Sequence, residues 1–315
     1  MNKIEVKVLN PSAMTEAENM MVTAARLTQR GEKIKSMEDF MKLYESTYKP
    51  ETVKTMTELP HPTIQKFSVI NIAVVGASRR FLAQVTRHQN EVKFMSASLA
   101  YSDYSGSVGL EDFVVPYEVL MKPMIQLPLF LSSCKTSMKA YEDAIDLGLD
   151  HDSAGYMAPQ SLRNVLIISA TPYQLKHMIS QRTCRRNTDE MRYVMLRIWE
   201  ALYKLSPEMF SLNTTGPFCM KHHCEEGKMS CKEPFPVDIT PTEIIKKDFP
   251  LLMDSRTCES INRATQRFDK IIKEYDKEHN KARKAKYTSL SNIINEIDKA
   301  IKKVEEEIKN EDKAN

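Results

Sequence analysis

The chain has 315 residues, 42% hydrophobic and 28% charged, with a mean hydropathy of −0.43, enough apolar material for a real core under a polar surface. Its 45 basic and 42 acidic residues leave a formal net charge of +3, which allows anionic ligands but does not point to nucleic acid. With no run of about 18 apolar residues, no apolar segment in the opening MNKIEVKVLN and six cysteines, the chain is expected to be cytoplasmic, off the membrane, and to keep its thiols free or metal-bound rather than paired.

Ile4, Val6 and Val8 alternate with polar residues and predict a short strand. A helix follows around Ala24, Ala25 and Leu27, then helix and loop to Pro60 and Pro62. Phe67 to Val75 is dense in β-branched residues and predicts a strand ended by Gly76. Ser78 is placed to cap a helix carrying Gln84 to His88. Residues 102–115 read as loop, Met138 to Leu147 as helix and Val165 to Ala170 as strand. Pro172 suits the first turn of a helix running toward Arg182, and another helix spans Glu190 to Leu205. Residues 214–249 carry Pro217, Pro234, Pro236 and Pro241 with three cysteines and read as a loop-rich extension. Beyond them Tyr287, Leu290, Ile294, Ile297, Ile301, Val304 and Ile308 are spaced by alternating threes and fours, an a/d seam. Such a seam serves a coiled coil or helical hairpin; docking on the chain's own core is the plainer use.

Three constellations carry candidate chemistry. Gln84, Arg87 and His88 share a helical face at i, i+3 and i+4, while Phe81, Leu82 and Val85 turn toward a core. Amide, guanidinium and imidazole together suit a flat anionic heterocycle; a solvated helix face would look the same. In QRTCRRNTDEMR, residues 181–192, Arg182, Arg186 and Glu190 fall at i, i+4 and i+8, with Arg185 beside Arg182. Clustered guanidiniums need an anion among them, phosphate or a protein carboxylate such as Asp189 or Glu190. In GPFCMKHHCEEGKMSC, residues 216–231, Cys219, His222, His223, Cys224 and Cys231 lie within thirteen residues. Thiolates and imidazoles so dense can hold tetrahedral Zn²⁺, with Cys184 joining if the loop folds back; free buried thiols are the alternative.

In order and spacing these segments resemble the flavin-dependent thymidylate synthases over residues 1–232. MVTAARL at 21–27 is similar to an early family helix. His61 followed by SRRFLAQVTRH at 78–88 resembles the approach to the family's Arg-His-Arg motif. With one residue inserted, Ser98 and Tyr101 fit the motif's later Ser and Tyr. MAPQSL at 157–162 is similar to a Leu-Pro-Gln segment, and QRTCRRNTDEMR to an arginine-bearing helix. GPFC and CEEGKMSC resemble a cysteine-bearing extension of some members. The chain departs from the pattern at Gln89, the third residue of Arg-His-Arg, at Ala100 before the motif's Tyr, and at Gly155 before MAPQ. Arg79, Arg80, Arg163, Arg185 and Arg186 are the cations that could replace those arginines.

The resemblance implies an α/β (α+β) domain over 1–213, a Cys/Pro-rich extension over 214–250 and a charged helical tail over 251–315. It implies a homotetramer with sites shared between subunits. Its reaction would be reductive methylation of dUMP to dTMP with FAD, NADPH and methylenetetrahydrofolate. Ser98 and Arg182 would be catalytic, and Arg87, His88, Gln89 and His177 would bind FAD. Gln84, Ser98, Arg182 and Arg186 would bind the nucleotide, with Cys184, Cys219, Cys224 and Cys231 as candidate metal ligands. Two other functions remain open: a related flavoenzyme acting on another pyrimidine nucleotide, and a silent homologue serving as a binding or assembly subunit.

Overall fold

The computed structural model describes residues 4–107, 109–221, 224 and 226–253, with 263, 295, 299 and 302 beyond them. Met1–Ile261 forms one compact unit and Asn262–Asn315 another. The heptad seam from Tyr287 to Ile308, and His222 and His223 of the cysteine segment, lie outside the described residues.

In chain order the first unit holds β1 (Glu5–Val8), α1 (Ala13–Arg30), α2 (Met37–Tyr44), α3 (Pro50–Glu58), β2 (Ile70–Ser78), α4 (Arg79–Val85) and β3 (Val92–Ser96). There follow α5 (Tyr117–Met121), α6 (Pro123–Asp146), α7 (His151–Ala154), β4 (Arg163–Ala170), α8 (Pro172–Arg182) and α9 (Asp189–Leu205). The short α10 (Phe218–Lys221), α11 (Pro241–Asp248) and α12 (Pro250–Met253) complete it. The strands form one sheet in the order β1-β2-β4-β3, every pair antiparallel.

Strand alternation decides what each face of the sheet does. Ile70, Ile72 and Val74 of β2 pair with Ala170, Ile168 and Leu166 of β4, and all six are buried. This inner face packs on α9, whose Met191, Val194, Met195, Ile198, Trp199 and Leu202 are fully buried. On the opposite face Val75, Met95, Val165 and Ile167 are 43%, 73%, 47% and 41% exposed, an apolar patch left open.

Several boundaries differ from the sequence expectation. β2 begins at Ile70 and does not stop at Gly76, which sits at φ 81 in a bulge between Val75 and Ala77 while the strand runs on to Ser78. β3 was not expected. Lys93 and Met95 face outward on this edge strand, so its periodicity is weak and its pairing with β4 supplies the structure. Ser78 does cap α4, accepting from the Phe81 N–H at 3.0 Å. That helix ends at Val85, however, because the Thr86 N–H and hydroxyl both donate to the Leu82 carbonyl and the His88 N–H closes a turn on Val85. Arg87 and His88 therefore leave the helical face predicted to hold them with Gln84. Residues 181–192 likewise do not form one helix: Asn187 folds a turn by donating to the Gln181 and Cys184 carbonyls, separating α8 from α9. Arg182, Arg186 and Glu190 thus share no helical face. The extension predicted as loop contains α11, opened by a Thr240–Glu243 capping box and inserting Ile244 and Ile245 into the core.

Candidate functional site

α8 presents Arg182 where α4 ends. Its Nε donates to His88 Nε2 at 2.8 Å, one Nη donates to the Gln84 carbonyl at 3.3 Å, and the other reaches Asn187 Oδ1 at 3.4 Å. The Gln84 side chain is held in turn by the Thr188 hydroxyl, which donates to its Oε1 at 3.1 Å. Thr188 stands at the N-cap of α9, yet makes no side-chain cap bond there. His177, one turn back along α8, meets His88 edge-on at 6.2 Å between ring centroids. Gln84 of α4, His88 of the turn after it, and His177 and Arg182 of α8 are thereby gathered into one array.

Charge within that array is asymmetric. Burial, the Arg182 guanidinium and His177 together lower the His88 pKa to about 4, so the ring is neutral near pH 7. A neutral ring accepting at Nε2 carries its proton on Nδ1. Arg182 is pushed down from its ordinary value by burial and by Arg87, but an arginine keeps its charge. The array offers an anchored cation whose guanidinium plane is set by three protein acceptors.

Arg87 and Gln89 are exposed beside this array. Ser98 makes no hydrogen bond to it among the described residues. The hydroxyl of Ser98 accepts the Ala100 N–H at 3.1 Å, past the end of β3 paired with Leu166. Arg182 ends a helix that begins after Ala170, at the far end of that strand pair. Thr188 and Asn187 belong to the array without having been singled out as site residues. Their only sequence signal was a Thr-Asp-Glu run before an apolar helix, which reads as a helix start.

A second concavity lies on the other side of α4. Arg79, Leu82, Thr86, Phe94, Ser96 and Gln160 line about 400 Å³. Arg79 lines it, and its Nη1 is buried with no hydrogen-bond partner among the described residues; the buried Nε of Arg163 also has none, but Arg163 lies among Glu190, Asp112 and Glu111 and donates to the Gly76 carbonyl. Burial lowers the pKa of both guanidiniums. Buried donors left open are strong sites for an anion. Nearby, Glu190 accepts from the Ser78 N–H and hydroxyl at 2.6 and 2.5 Å, and burial raises its pKa. Glu190 thus ties α9 to the start of α4 rather than neutralising Arg182 or Arg186.

Cys184, Cys219, Cys224 and Cys231 line one cavity of about 590 Å³ with His177, Arg185 and Arg186. Among the described residues no three His, Cys, Asp or Glu side chains are placed to hold a metal ion. Cys134 is elsewhere, buried on α6 against the Ser161 hydroxyl. Among the described residues no helix is long and apolar enough to cross a membrane.

The fold is an antiparallel sheet backed by helices, with an arginine–histidine array at the junction of α4 and α8. Residues 11–208 match the model of the family described as thymidylate synthase complementing protein, and the chain belongs to that family, the flavin-dependent thymidylate synthases. The flavin-dependent thymidylate synthase of Thermococcus onnurineus is 25% identical over 173 residues, 54% of this chain and 69% of the relative. That of Pyrococcus abyssi is 24% identical over 198 residues, 62% of this chain and 80% of the relative. In fold, the chain is similar to the UMP/dUMP methylase PolB of Streptomyces cacaoi, with a TM-score of 0.55 at 17% identity, covering 67% of this chain and 95% of the other. Gln84, His88, His177, Arg182 and Thr188 all fall inside the family-matched residues; Cys219, Cys224 and Cys231 fall outside them.

Proposed function

We propose that the protein catalyses the reductive methylation of dUMP to dTMP, with methylenetetrahydrofolate as one-carbon donor, NADPH as reductant and FAD as bound cofactor. The observation that carries this reading is the hydrogen-bonded array of Gln84, Thr188, Arg182 and His88. The donor set fits a flavin dinucleotide and a nucleotide: an anchored guanidinium, a neutral imidazole and, in Arg79, a buried donor open to an anion. Arg87, His88, Gln89 and His177 would hold FAD, which when bound supplies the hydride that completes the methyl group. Arg182 would sit against the pyrimidine, stabilising negative charge that develops on its ring oxygens. His88 would fix the guanidinium plane, Gln84 the edge of the base, and Thr188 the amide of Gln84. Arg79 would take the phosphate, in place of the arginines missing at Ala100 and Gly155. Ser98 and Arg186 would complete the nucleotide pocket, with Ser98 supplied by a second copy of the chain in a homotetramer.

A second reading, methylation of another pyrimidine nucleotide, draws on one specific contact. A side chain beginning at Gly155 would place its Cβ 3.1 Å from the Cβ of Leu99, so hydrocarbon occupies the corner where an arginine would enter.

The test is direct. Full-length protein should be yellow and should form dTMP from dUMP, methylenetetrahydrofolate and NADPH. Arg182→Lys, which loses the fork to His88, Gln84 and Asn187, should lower kcat/KM by about 10- to 100-fold, the equivalent of one or two charge-assisted bonds. Bound flavin with no dTMP, but turnover of UMP or dCMP, moves the assignment to the second reading. Colourless protein that FAD does not reconstitute overturns both.

A further inference from the structure

We infer that Cys184, Cys219, Cys224 and Cys231 form a four-thiolate site for a structural Zn²⁺ that pins the cysteine segment to the turn between α8 and α9. The four come from two places far apart in sequence. Cys184 lies in the turn that Asn187 folds, and the other three follow at C-x₄-C-x₆-C spacing in the extension. Folding has nonetheless ringed all four around one cavity. Four of the five described cysteines meeting in this way is not what buried apolar filler does; the fifth, Cys134, is packed in a helix as such filler.

The surrounding charge fits an anionic centre. Zn²⁺ with four thiolates carries about two negative charges; Arg185 and Arg186 line the same cavity against one carboxylate, Glu226, with Arg185 also paired to Glu233 and Asp248. Arg185 also stacks on Phe235 at 4.0 Å, which draws the far side of the extension over the site.

The segment has little regular structure of its own, although Met220 and Phe235 reach the core. Between Ser206 and Thr240 the regular structure among the described residues is the four-residue α10 and the three-residue turn Gly227–Met229. Its entry is rigid: Gly216 has φ 123, and a Cβ there would stand 2.8 Å from the Trp199 ring. Past that anchor, a long loop of little secondary structure is the usual setting for a structural metal. The thiols do not yet converge on one point. Binding would draw Cys224 and Cys231 inward, with the thiol protons released to solvent and no change of oxidation state. Four soft ligands leave no open position, so the ion's role is structural rather than catalytic.

The inference stands apart from the methylation reading, because metal content is measured whether or not dTMP forms. Tag-free full-length protein, purified under reducing conditions without chelator, should hold about one zinc per chain. Chelation should expose about four additional reactive thiols per zinc released. Cys134→Ser should keep its zinc, whereas Cys184→Ser and Cys219→Ser should lose it. If a cysteine variant does not fold, the joint release of zinc and appearance of thiols in the unaltered protein decides the matter. Protein that holds no zinc and takes up none from added zinc chloride overturns the proposal. So does iron with acid-labile sulfide, a disulfide among the four, or zinc retained by both Cys184→Ser and Cys219→Ser.

Discussion

His88 is kept neutral by what surrounds it, and that neutrality has a pH signature. Its ordinary value of 6.5 is lowered to about 4, first by burial and then by Arg182 and His177. The unfolded chain takes up a proton as pH falls below about 6.5, while the folded ring does not until about 4. The stabilisation is complete above pH 6.5 and is lost as pH falls toward 4, amounting to about 1–3 kcal/mol. His88→Gln keeps an acceptor for Arg182 without the titration. Thermal melts of both proteins across that window should show a steeper fall for the unaltered chain; parallel curves would refute the assignment. Gln84, His88 and Arg182 were legible as residue types in a suggestive order. Their meeting was not, because Arg87 and His88 leave α4 at a turn made by Thr86, and helix periodicity does not register such turns.

Among elements, α9 is held from two sides. Glu190 fastens its start to Ser78, and Asp248 at the end of α11 pairs with Arg192 on its inner face. The Arg192 and Asp248 side chains are 7% and 11% exposed, so their pairing answers a burial cost rather than adding a surface bonus. Asp248→Asn leaves Arg192 with Asp189, 3.5 Å away and 43% exposed, as its remaining ion-pair partner. The expected cost is about 2–4 kcal/mol in a denaturant melt, with flavin content per folded chain unchanged. A loss below about 0.5 kcal/mol would mean that water already reaches the pair. α11 itself was hidden in the sequence. The prolines around it read as loop, although Pro241 is a first-turn proline and Thr240 with Glu243 forms a capping box.

At the level of the molecule, the proposed function divides the site between copies of the chain, with Ser98 supplied by one and Arg182 by another. Ser98 follows the end of β3, where its hydroxyl accepts the Ala100 N–H, while Arg182 donates to His88, Gln84 and Asn187. The open apolar face of Val75, Met95, Val165 and Ile167 is the kind of surface that association covers. The proposed homotetramer therefore leads to a complementation prediction. Ser98→Ala and Arg182→Ala chains, each inactive alone, should recover about a quarter of full activity when co-expressed, since random pairing makes about a quarter of shared sites intact. No recovery would place each complete site within one chain.

Sequence alone determined the local choices. These include the apolar alternation of β2 and β4, the Ser78 cap, the Pro172 start of α8 and the order of motifs that marks the family. All rest on interactions within a few residues of each other, which composition and spacing encode directly. Tertiary structure decided the rest: that β3 is a strand, that Arg182 meets His88 across 94 positions, and that Cys184 faces a cavity shared with Cys219, Cys224 and Cys231. Edge pairing, the ends of helices and the folding back of a loop depend on partners distant in sequence. No local pattern records which of those partners will be there.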